Sequence, residues 1–141
     1  SGQTPLMTAA LTGKPKLAKV LLEAGASATV GEKDGYTPVH GAGFQGRPQI
    51  MRVLIEHGLD AGHVHADGFT PLHRACWGQE SRHTETVRVL LEHGIDPNTR
   101  AGDGKTCAEM TPNSGTRTLV ESWQQGGGSS KSSVGDAAQR E

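Results

Sequence analysis

Asp67-Gly68-Phe69-Thr70-Pro71-Leu72-His73-Arg74-Ala75-Cys76 repeats, type for type, the order of Asp34-Gly35-Tyr36-Thr37-Pro38-Val39-His40-Gly41-Ala42-Gly43, and a clipped form stands at Ser1-Gly2-Gln3-Thr4-Pro5-Leu6-Met7-Thr8-Ala9-Ala10. The threonines keep an interval. Thr4 to Thr37 and Thr37 to Thr70 are each 33 residues apart, and Thr70 to Thr106 is 36. Self-similarity at such a period marks a repeat array, whose units bury their apolar faces only against one another.

Each part of the motif has a physical reason. The Gly permits the positive φ of a tight turn, the Thr hydroxyl can accept an unpaired N–H of a first helical turn, and Pro fits the first helical position, where a missing donor costs nothing. The motif is therefore a turn feeding a helix, and the small pairs Ala9-Ala10, Ala42-Gly43 and Ala75-Cys76 let that helix lie close to its neighbours. A second run follows in each copy: Lys16 to Glu23, Ile50 to Glu56 and Thr86 to Glu92. All three carry apolar residues at helical spacing and stop at Gly25, Gly58 and Gly94, where helix C-caps prefer glycine.

Thr70-Pro71-Leu72-His73, the small pair, Val89-Leu90-Leu91-Glu92-His93-Gly94 and Ile95-Asp96-Pro97-Asn98, set in this period, resemble ankyrin repeats over about residues 1 to 123. The resemblance implies an all-α solenoid of stacked helix-turn-helix units with projecting finger loops, which binds other proteins on a concave face. The expected division is repeats 1–33, 34–66 and 67–102, a partial capping repeat 103–124 and a flexible Gly/Ser-rich tail 125–141.

Composition narrows the function. The chain has 141 residues, 33% of them hydrophobic, and a net charge of -1, so no single-sign field favours nucleic acid or an anionic membrane. No apolar run approaches the ~18 residues of a membrane span, and no signal-peptide pattern opens the chain. Cys76 takes the second small position of a buried helix and Cys107 stands where other copies have Pro; the pair reads as unbonded, in an intracellular protein, cytoplasmic or nuclear.

Along the chain, the first repeat opens on its turn and its Leu6, Val20 and Leu21 make no polar cap, so a further repeat or cap is expected upstream. Finger loops are expected at 26–33, 59–66 and 95–102. The three extra residues of the third repeat fall within Gln79 to His83, where a polar bulge is expected, either a tolerated loop extension or a specific partner contact. The fourth unit keeps its turn and Thr106 but lacks the Pro, Leu and His. It reads as a cap with a short second helix, Leu119, Val120 and Trp123 packing back. The Gly/Ser-rich stretch from Gly126 to Ser133 reads as a spacer, and the end beyond it as a tail, a linker or a tethered peptide docking on the chain's own concave face.

Two aligned columns carry the binding hypothesis. The residue after the turn Gly is Gln3, Tyr36, Phe69 and Lys105, and the residue after the small pair is Leu11, Phe44 and Trp77. By the resemblance both columns face the groove. The sequence holds two Phe, one Tyr and two Trp, and only Trp123 stands outside these columns. Exposed rings lower solubility yet supply rigid contact area, so Tyr36, Phe44, Phe69 and Trp77, with Leu11, are the expected partner-binding ladder. Packing of Tyr36 and Phe69 on the next finger is the plain alternative. Lys33, Arg74 and Lys105, with Asp34, Asp67 and Asp103, give the groove charges of both signs, suited to a protein or peptide partner.

Histidine is frequent, and His40 and His73 read as ties between neighbouring turns. His57 and His93 suit helix C-termini. His63 and His65 alone could converge, but two ligands make a poor zinc site, so neither metal nor cofactor is expected. Nothing assembles a catalytic constellation, which makes the chain a non-catalytic, monomeric adaptor; the alternative is a structural spacer or intramolecular lid. Asn98, eight residues after Leu90, resembles the finger-loop context of asparaginyl hydroxylation, its plain role being to satisfy backbone groups of the turn.

Overall fold

The computed structural model describes residues 4–26 and 36–126, and these form eight helices and no strand. In chain order they are α1 (Pro5–Thr12), α2 (Pro15–Glu23), α3 (Pro38–Gln45), α4 (Pro48–Glu56), α5 (Pro71–Cys76), α6 (Ser81–Glu92), α7 (Cys107–Met110) and α8 (Ser114–Gln124). The odd helices stack in one layer, α1 on α3, α3 on α5 and α5 on α7. The even helices stack in another, α2 on α4, α4 on α6 and α6 on α8.

Local chemistry sets the starts. The Oγ1 atoms of Thr4, Thr70 and Thr106 accept the N–H groups of Met7, His73 and Glu109 at 3.1, 3.3 and 3.4 Å. Pro5, Pro38 and Pro71 occupy the first turn of the helices they open. The small pair does what close packing requires: a Cβ on Gly43 would stand 2.7 Å from the carbonyl oxygen of Pro71, so α3 and α5 approach through glycine. Leu6, Val39, Leu72, Ile50, Leu54, Val87 and Leu90 form the core between the layers, each at most 1% exposed.

Three expectations are corrected. The extra residues of the third repeat do not bulge. They become the first turn of α6, which has 12 residues against nine in α2 and α4, because Glu80 N–H finds the Nδ1 of His83 at 3.4 Å in a capping box. The second helix of the capping unit is not short either: α8 runs 11 residues, with Val120 buried and Leu119 and Trp123 packed on the core as expected. It starts early because Asn113 Oδ1 caps it, accepting from Gly115 N–H at 3.1 Å.

The third correction concerns the cysteines. Cys76 and Cys107 form a disulfide, their Cα atoms 5.7 Å apart and their sequence separation 31. Stacking α7 on α5 places the start of one helix against the end of the other, a proximity invisible from spacing alone. With the sulfurs bonded, the thiol argument for an intracellular setting no longer holds. No helix among the described residues is long and apolar enough to cross a membrane.

Candidate functional site: the aromatic run of the second and third repeats

Imidazoles fasten the fingers to the helices. His40, at the start of α3, accepts the Thr37 N–H on Nδ1 at 3.1 Å and donates from Nε2 to the carbonyl of His63 at 2.8 Å. His73 repeats the pattern one unit on, with Nδ1 2.7 Å from Thr70 Oγ1 and Nε2 3.2 Å from the carbonyl of Thr99. The expected tie between neighbouring turns is present in both. Burial lowers the pKa of both rings, that of His40 to about 4, against partial recovery from the carbonyl each one meets.

Arg74 is the correction that matters most for the site. Its expected role is a groove charge open to a partner, yet it is only 8% exposed. Its Nη2 donates to Asp67 Oδ2 at 2.5 Å and to Nδ1 of His65 at 2.8 Å. The guanidinium lies 5.2 Å from the Tyr36 ring centroid and 5.3 Å from that of Trp77. Desolvation raises the Asp67 pKa, but hydrogen bonds from Phe69 N–H and Arg74, with the charge of the guanidinium, outweigh it and hold the carboxyl below its ordinary value. Arg74 Nε is buried without an acceptor.

Around this guanidinium the aromatic side chains join into one run. Tyr36 stacks on His40 with centroids 5.5 Å apart and meets His65 of the next finger edge-on at 5.4 Å, so packing on that finger and a place in the run coexist. Beyond Arg74, Trp77 packs against Phe69 at 4.8 Å. Phe44 stands at the end of α3, 49% exposed. Between Phe44 and Trp77 opens a cleft of about 270 Å³, whose other walls are Gly78, Gln79 and Glu80. Arg74 and His83, both largely buried, complete the lining.

The remaining expected residues lie apart from this cleft. Leu11 is half-buried against α3, its Cδ2 only 2.9 Å from where a Cβ on Gly41 would stand. Lys105 is exposed in the turn that opens the capping unit. Lys33 and the first finger fall outside the described residues, as does the tail from residue 127. Asn98 is exposed, and its Oδ1 accepts from Gln124 Nε2 at 3.1 Å, a tie to the capping helix instead of to its own turn. Among the described residues no group of three or more His, Cys, Asp or Glu side chains is placed to hold a metal ion.

Sequence reasoning offers a partner contact for Gln79 to His83 only as an alternative, and does not place Gln79, Glu80 and His83 beside Phe44 and Trp77. The signal for them was the insertion, since it is the one departure from the period. Gly78 shows how tightly the corner closes: a Cβ there would stand 1.9 Å from the His83 ring.

The family model for ankyrin repeats, three copies, matches residues 6–101, most of the chain. The chain is an ankyrin-repeat protein. Comparison with curated proteins finds no match. Ankyrin repeats serve generally as protein–protein interaction modules and are typically non-catalytic. In these ankyrin repeats the run of rings therefore sits on a scaffold whose usual work is to bind other proteins.

Proposed function

We propose that this ankyrin domain is a non-catalytic adaptor that binds a segment of another protein on the concave face formed by α3, α5 and the second and third fingers. The observation that carries the reading is the continuous run Tyr36, Arg74, Trp77 and Phe69 with Phe44 half-exposed beside it. Rigid rings held by a buried arginine lose little freedom on binding, which is what a contact hot spot needs. Leu11 and Lys105 extend the surface at its edges, and Lys33 belongs to it by sequence.

Affinity capture from cell lysate tests this when the wild-type chain is compared with Phe44→Ala and Phe69→Ala, using Arg52→Ala, an exposed position of α4 in the other helix layer, as the control. Proteins retained by the wild type and by the control but lost from both ring variants support the adaptor; an unchanged set of captured proteins overturns it.

One observation favours a rival reading, a spacer or lid packed within a larger protein. Leu17 and Val20 of α2 are 43% and 59% exposed, whereas Ile50 and Val89, their counterparts in α4 and α6, are 1% and 2% exposed. Under that reading no protein retained from lysate depends on the ring side chains.

A further inference from the structure

We propose that the cleft between Phe44 and Trp77 is a socket for a single bulky apolar side chain of the partner, and that a lysine or arginine beside it in the partner's sequence reaches Glu80. This deepens the adaptor reading and rests on it. Volume argues for one side chain: about 270 Å³ falls below the roughly 300–1,000 Å³ of sites that enclose a small molecule. The walls argue for an apolar one, since Phe44 offers half of its surface to solvent there.

The socket exists because α5 stops after six residues, where α1 and α3 run eight. Only Gly13 and Lys14 join α1 to α2, and only Gly46 and Arg47 join α3 to α4, whereas Trp77 to Glu80 join α5 to α6 and supply the far wall. That wall is pinned from two sides. Arg82 Nε donates to the carbonyl of Gln45 at 3.0 Å, and His83 Nε2 to that of Phe44 at 3.1 Å, fixing it to the second repeat. From the cap, Asn113 Nδ2 donates to the carbonyls of Gly78 and Glu80, each at 3.1 Å. A wall so held is formed before the ligand arrives, and little ordering entropy opposes binding.

The charge follows from what is already neutralised. Arg74 is paired with Asp67, and both ring nitrogens of His83 are engaged. Glu80 is the remaining charged group of the lining; its side chain, 63% exposed, caps the start of α6 and is paired with Arg82, itself 45% exposed. An exposed pair of this kind contributes little, so a cation from the ligand can share the carboxylate. The partner segment that fits is a bulky apolar residue with a basic neighbour.

Panning a phage-displayed library of random ten-residue peptides on the full chain tests the assignment. Enriched peptides are expected to share a Leu, Met, Phe or Trp with a Lys or Arg within two positions. Synthesised, such a peptide should lose roughly tenfold or more in affinity on Phe44→Ala. Glu80→Gln should weaken it a few-fold, and should leave unaffected the same peptide with its basic residue replaced by Ala. Circular dichroism and melting of both variants should match the wild type, Phe44 being exposed and glutamine keeping an oxygen for the cap that Glu80 gives α6. Enriched peptides that lose affinity on Tyr36→Ala or Phe69→Ala but not on Phe44→Ala or Glu80→Gln overturn the socket and leave the adaptor reading standing. A library that yields no enriched family overturns both.

Discussion

Arg74 shows how one buried side chain can organise a surface it does not itself present. Its planar fork reaches a carboxylate and an imidazole while its faces meet two rings, a combination that an ammonium group cannot reproduce. Arg74→Lys should therefore lower stability by about 1–2 kcal/mol in urea denaturation, toward the low end for charged hydrogen bonds because the Asp67 side chain is 38% exposed. The same variant should loosen Trp77, seen as a red shift of its emission in a Trp123→Phe background. His40 supplies a pH dependence at the same scale. Its folded pKa lies near 4, below the ordinary 6.5, so the unfolded chain takes up the proton first. The stability from the neutral ring is complete above pH 6.5 and is lost as the pH falls from there towards 4, a change on the order of 2–3 kcal/mol. His73 shifts in the same direction and adds to the slope. Melting temperatures from pH 7.5 to 4 should trace this fall, and His40→Gln should flatten it.

Among the elements, the corner between α5 and α6 and the capping pair α7–α8 depart furthest from the period. Gly78→Ala should cost about 1–3 kcal/mol, since its methyl would enter the His83 ring and displace the start of α6. Loss of the cross-link between α5 and α7 should matter more. Closing a loop of 31 residues removes denatured-state freedom equivalent to roughly 3–4 kcal/mol. Denaturation with reductant, or of Cys107→Ser, should show α7 and α8 releasing before the rest, with amide exchange of Val120 accelerated first. These are also the elements that were least legible in the sequence. The helices of the first two repeats could be read from Thr, Pro, an apolar stripe and Gly, all local signals. The Cys76–Cys107 contact depends on one layer stacking on another, and the length of α6 turns on a His accepting the Glu80 N–H, a less obvious capping partner than Glu or Gln. For the candidate site, the aligned columns identify Phe44 and Trp77. The charges read beside those columns misjudge Arg74, because an arginine over two rings, with a carboxylate and an imidazole in reach, can be buried where a lone arginine would stay in water.

Across the whole molecule, stability is a sum of contacts between neighbouring units, so equal substitutions should differ by their place in the stack. Val20→Lys, on an exposed position of α2, should change stability by no more than about 0.5 kcal/mol. Val89→Lys, at the matching position of α6 where the side chain is 2% exposed, should cost more than about 3 kcal/mol or prevent folding. Thermal melts of the two variants against wild type give the comparison.

The bonded cysteines have a mechanical side as well. Pulled from its two ends, the chain can unspool from its first helices, but tension cannot reach the backbone enclosed between Cys76 and Cys107. Those 31 positions amount to about 100 Å of contour length. In an optical trap the stretched molecule should stop short by that amount, and should regain it in one step when a thiol reagent in the chamber cuts the bond.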